Sequence, residues 1–114
     1  MLNALAKEVH DLAVEKGWYH TDAGDRISRG LPEVICLMHS ELSEALEEFR
    51  NRHAATEVYF REDGKPEGIP IEFADLIIRV LDTCAEENID IDEAVRIKHE
   101  FNKTRSRRHG GKRA

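Results

Sequence analysis

Ile69-Pro70-Ile71-Glu72-Phe73-Ala74-Asp75-Leu76-Ile77-Ile78-Arg79-Val80-Leu81-Asp82-Thr83-Cys84-Ala85-Glu86-Glu87-Asn88 reads as a helix, from 69 to about 88, that is apolar on nearly every side. Pro70 suits its first turn, where the missing N–H is no loss. Before Glu87 only Glu72, Asp75, Arg79, Asp82 and Glu86 are charged, and their steps of three and four trace one thin line along the helix. A helix apolar almost all round is buried on several sides, so the upper part of this line must face another helix or a cleft. Buried carboxylates are rare unless they are paired or metal-bound. The plainer alternative is an Asp75 to Arg79 salt bridge on an exposed strip.

A second acidic pair, Glu41-Leu42-Ser43-Glu44, precedes the first by 27 intervening residues. It falls in a helix predicted from 31 to about 53, with Pro32 in the first turn. Leu31, Ile35, Met38, Leu42, Ala45 and Phe49 make an apolar stripe, and Glu41, Glu44 and Glu48 continue an adjacent stripe begun by Val34 and Leu37. The acids therefore flank the buried surface. Residues three apart on a helix project to one side about 5–6 Å apart. Two such pairs on facing helices would converge four carboxylates, whose repulsion and desolvation a hard cation such as Mg²⁺ relieves. The expected ligands are Glu41, Glu44, Glu72 and Asp75.

Two further helices complete an all-α, four-helix chain. Leu2, Leu5, Val9, Leu12 and Ala13 predict an amphipathic helix over 2–16, stopped by Gly17. Trp18 follows, either as a core plug or dimer contact or as an aromatic wall on which a nucleobase stacks. Between 56 and 68, Val58-Tyr59-Phe60 is β-prone and Asp63-Gly64 is a turn dipeptide, which reads as a short hairpin or an ordered loop. Asp90-Ile91-Asp92-Glu93 has the form of a capping box opening the last helix. That helix is expected to carry Ala94, Val95, Ile97 and Phe101 inward, with Lys98, Asn102 and Arg105 on one face as donors suited to a triphosphate. Cys36 and Cys84, each at a helically spaced apolar position, read as reduced core residues.

With 114 residues the chain is expected to be one domain, residues 1–106, followed by a basic tail at 107–114. From Phe101 onward there are six Lys/Arg and no acid, so the rest carries 11 basic against 23 acidic residues, a net −12. That acidity argues against a nucleic-acid platform. A phosphate-bearing ligand, held by metal on the acidic part and by cations at the basic end, fits the asymmetry. No apolar run approaches the ~18 residues of a membrane span, and the amino-terminus turns charged too early for a secretory signal. A cytoplasmic protein is expected. One short chain cannot cover the third helix, so a homodimer or larger assembly is expected as well.

The acidic pairs, together with Lys98, Asn102 and Arg105, resemble the MazG-like all-α nucleoside triphosphate pyrophosphohydrolases, whose signature is Glu-Glu-x-x-Glu followed by Glu-x-x-Asp. The likeness runs from about Glu15-Lys16-Gly17-Trp18 to the basic end. This chain departs from the strict motif at Ser40, where the leading Glu would stand, and Glu48 one turn further on offers a substitute. The resemblance implies Mg²⁺-dependent (Mn²⁺ as substitute) cleavage of the α–β anhydride of a nucleoside triphosphate to the monophosphate and pyrophosphate. Under it Glu41 or Glu44 also orients or deprotonates the attacking water, and Lys98, Asn102, Arg105 and Trp18 contact the substrate. Two rival readings follow from other features. A di-iron carboxylate bundle requires Glu-x-x-His, which the sequence lacks. A catalytically degenerate helical module that binds nucleotide without turnover is compatible with Ser40.

Overall fold

The computed structural model describes residues 1–105, so the basic tail expected at 107–114 lies outside the described residues. In chain order the elements are α1 (Leu2–Glu15), α2 (Leu31–Arg50), β1 (Tyr59–Phe60), β2 (Pro66–Glu67), α3 (Ile69–Glu86) and α4 (Ile91–Thr104). α3 is the centre: α1 packs on one side of it and α2 on another, while α4 leans on α1. Its Leu81 and Cys84 are buried together with Ala6 of α1 and Ala45 of α2. No helix among the described residues is long and apolar enough to cross a membrane.

The helix ends are set locally. At the end of α1, the Trp18 N–H donates to the Ala13 carbonyl and the Gly17 N–H to that of Val14, with Gly17 at φ +88°. This is a Schellman closure, and the left-handed residue it needs is cheapest as glycine. α3 ends in the same way, with Asn88 as the left-handed residue. The loop from 56 to 68 is the short hairpin, with Tyr59 opposite Glu67 and Phe60 opposite Pro66. Gly68 joins it directly to α3 at φ +123°, where an added Cβ would run into the Glu57 carbonyl oxygen. That close approach fixes Glu67 beside the first turn of α3.

α1 and α4 cap each other. The Asp92 carboxylate accepts from the N–H groups of Leu2 at 2.7 Å and Asn3 at 3.0 Å. In return the Asn3 side-chain oxygen accepts from the N–H groups of Ile91 and Asp92. Asp90 accepts from the Glu93 N–H as the capping box requires, but Glu93 turns to Arg96 instead of reaching back. These donors, with Asn3 foremost, hold the Asp92 carboxyl below its ordinary value of 3.8. A depressed carboxyl contributes stability that is present above the ordinary value and lost as pH falls through the lower one. Asp92→Ala should therefore lower the unfolding temperature by several degrees at neutral pH. The gap to wild type should close in acid, and thermal unfolding across pH measures it.

Three expectations about burial are corrected. Most of the apolar stripe of α2 is left uncovered: Leu31, Ile35, Leu42 and Phe49 are exposed, Phe49 at 67%, and Cys36 is exposed beside them. Of that stripe Ala45 alone is buried, together with Glu41 of the adjacent stripe. α4 buries none of its residues, and Val95, Ile97 and Phe101 stand about half exposed. On α3, Phe73, Ile77 and Ile78 are also about half exposed, because α1 and α2 cover it on two sides only. In each case the helix forms as its periodicity predicts, and too few neighbours exist among the described residues to cover the apolar surface.

Candidate functional site

Packing α2 against α3 brings one carboxylate oxygen each from Glu41, Glu72 and Asp75 within 4.8 Å of one another. Glu41 and Glu72 are buried at 6% exposure, whereas Asp75 opens toward solvent. The fourth expected ligand, Glu44, is exposed and lies against the Glu72 carboxyl without joining the trio. Ser40 bonds to the Leu37 carbonyl of its own helix and contributes nothing here. Glu48 sits one turn beyond, in a second trio with Glu67 and Glu72. The Tyr59 hydroxyl donates to Glu48, and His53 lies 3.6 Å from it, while Arg61 and Lys65 flank Glu67. Glu72 is thus the carboxylate common to both groups.

The electrostatics of this cluster are unfavourable for anions. Glu72 Oε2 is inaccessible and, among the described residues, has no hydrogen-bond partner. Burial chiefly, then the adjacent Glu44 carboxyl and the charges of Asp75 and Glu41, push the Glu72 carboxyl up to about 8. Asp75 is raised too, by burial first and then by Glu41, against the opposing pull of Arg79. Arg79 does not form the strip-like pair with Asp75: its Nε donates to Glu41 Oε1 at 2.9 Å. The donor set is all oxygen and acidic, which suits a hard divalent cation. A buried carboxylate oxygen without a donor is the kind of group such a cation satisfies.

A cavity of about 280 Å³ opens beside the cluster, between α1, α2 and α3. Glu41, Asp75 and Arg79 line it, and so do Trp18, Arg29 and Asp82. Trp18 is 58% exposed, not a core plug, and the Arg29 guanidinium lies over its ring at 5.4 Å. On the cavity wall, Asp82 is held by His10 Nδ1 at 2.7 Å and the Tyr19 hydroxyl at 2.8 Å, with Arg26 and Glu86 paired behind. Sequence reasoning missed Glu67, Arg29 and this Asp82 network. Asp82 stood on the charged line of α3, but its partners are 63 and 72 residues away. Lys98, Asn102 and Arg105 are exposed on and just past α4, with Lys98 and Arg105 over the Phe101 ring, and the single chain does not bring them to this cavity. Comparison with protein-family models, with curated proteins and with solved structures finds no match for this chain.

Proposed function

We propose that this chain is a Mg²⁺-dependent nucleoside triphosphate pyrophosphohydrolase, cleaving the α–β anhydride to give the monophosphate and pyrophosphate. The observation that carries the reading is the buried, unpartnered Glu72 oxygen, grouped with Glu41 and Asp75 on the edge of a cavity that also holds Trp18. The resemblance of the acidic pairs to the MazG-like enzymes supplies the bond cleaved. Glu41, Glu72 and Asp75 would hold the cation, with Glu44 beside Glu72 and outside the trio. A Mg²⁺ held there would supply charge neutralisation at phosphate oxygens and a more acidic water. Glu44, exposed next to the buried trio, is the carboxylate free to orient that water and take its proton. Arg79 and Arg29 supply positive charge on the cavity wall, where it balances charge developing on the phosphates. Trp18 offers a flat apolar face to the base.

The direct test is release of pyrophosphate from a panel of common and damaged nucleoside triphosphates, with Mg²⁺, with Mn²⁺ and with chelator. The alternative, a helical module that binds nucleotide without turnover, is favoured by the absence of any contribution from Ser40. Mg²⁺-dependent binding with no pyrophosphate released from any nucleotide would establish it.

The exposed stripe of Leu31, Ile35, Leu42, Leu46 and Phe49 on α2 is an apolar surface fitted to a second copy of this chain. We expect a homodimer or larger by light scattering at micromolar concentration, and a monomer mass would refute it. Lys98, Asn102 and Arg105 are assigned to the substrate phosphates and nucleoside in that assembly. Lys98→Ala and Arg105→Ala should each weaken binding of a non-hydrolysable triphosphate about ten- to a hundredfold, the usual loss for a charged hydrogen-bond donor. Mg²⁺ affinity should be unchanged, and calorimetric titrations separate the two. Wild-type triphosphate affinity in both variants would make α4 purely structural.

A further inference from the structure

We propose that the cavity selects nucleobases bearing an exocyclic amino group beside a ring nitrogen, the pattern shared by cytosine and adenine, and that the Asp82 carboxylate reads that amino group. The inference rests on the nucleotide reading above and specifies its substrate. Asp75, Arg79 and Asp82 follow one another along the cavity-lining face of α3. At a rise of 1.5 Å per residue, the seven residues from Asp75 to Asp82 span about 10 Å. This is the reach of an extended nucleotide from its α-phosphate to the far edge of its base. A ligand with its phosphates at the acidic cluster therefore lays its base edge against Asp82, where Trp18 shares the cavity wall.

Asp82 is built as an oriented acceptor. Among the described residues each of its oxygens has one partner, His10 on Oδ1 and the Tyr19 hydroxyl on Oδ2. Tyr19 is buried at 6% exposure and the His10 side chain at 16%, so both act as positioning residues that cannot swing away. A carboxylate oxygen accepts twice, which leaves lone pairs for the cavity. An amino group of cytosine or adenine donates to them. A carbonyl at the same place, as in uracil or hypoxanthine, sets lone pair against lone pair and leaves a half-buried charge without its partner.

The test compares bases that differ only in that group. Non-hydrolysable α,β-methylene analogues of CTP and UTP, and of ATP and ITP, are titrated into the wild-type protein with Mg²⁺ present. The amino member is expected to bind roughly ten- to a hundredfold tighter. Preference in only one pair supports the inference and tells cytosine from adenine. Equal or inverted affinities in both pairs overturn it while leaving the hydrolase reading intact; no binding of any of the four overturns both. Asp82→Asn, whose amide presents either a donor or an acceptor, should collapse the ratio. Its unfolding temperature is measured alongside, and a folded Asp82→Asn that keeps the full preference overturns the role of Asp82.

Discussion

Asp75→Ala is expected to abolish Mg²⁺-dependent pyrophosphate release while leaving the protein folded. Asp75 opens to solvent at the edge of the cluster, so its loss leaves no cavity in the core. Under the proposed function it removes a ligand of a cation that would stabilise transition-state charge by several kcal/mol. At tenfold per 1.36 kcal/mol, that is about a thousandfold or more in rate. Its negative charge also raises Glu72, so the metal-free variant should unfold at a higher temperature than wild type. Both effects come from one carboxylate, and they have opposite signs for activity and for metal-free stability. Activity equal to wild type at saturating Mg²⁺ would remove Asp75 from the metal site.

In the metal-free protein, stability should fall as pH rises from 4.5 toward 8, and Mg²⁺ should restore it. Glu72 is an acid whose folded-state value is raised above the ordinary 4.5. The folded state therefore holds its proton more tightly than the unfolded chain does. The contribution is fully present below 4.5 and is lost as pH passes through about 8, opposite to the usual behaviour of a paired carboxylate. A proton held across such a window is worth roughly 1.4 kcal/mol for each pH unit it spans, so the loss amounts to a few kcal/mol. A cation that binds only the folded state reverses it by mass action. Glu72→Gln keeps the shape and removes the charge, so it should flatten the pH dependence and lose the protection by Mg²⁺. Thermal unfolding of both proteins, with chelator and with Mg²⁺, measures the four curves. A parallel pH dependence in wild type and Glu72→Gln would show that Glu72 is not held protonated.

The acidic centre was only partly legible in the chain. Glu41, Glu72 and Asp75 were readable because spacing within a helix determines which residues share a side, and a carboxylate on the line of an otherwise apolar helix is costly to bury without a cation or a charged partner. Glu44 satisfied the same spacing and still fell outside the trio, since one residue's turn of azimuth separates a buried position from an exposed one. Glu67 carried no signal at all. It reaches Glu72 only because Gly68 lets the hairpin run straight into α3.

The sequence by itself determined what is local. Four helices, the proline-containing first turns of α2 and α3, the stop at Gly17 and the Asp90 cap all follow from interactions within a few residues. Only the tertiary structure decided which side of each helix is covered. Periodicity orders side chains around one axis but says nothing of which azimuth meets a neighbour. α2 could have turned its whole apolar stripe inward, and it buries only Ala45 of it, with Glu41 of the adjacent stripe, leaving Phe49 and Cys36 outside. Arg79 was spaced to meet Asp75 four residues before it, yet it pairs with Glu41, 38 residues away. Asp82 likewise draws His10 and Tyr19 from α1 and the turn after it. These pairings depend on how three helices close around one cavity, where the low dielectric makes each unpaired charge costly, and no spacing in the chain encodes that closure.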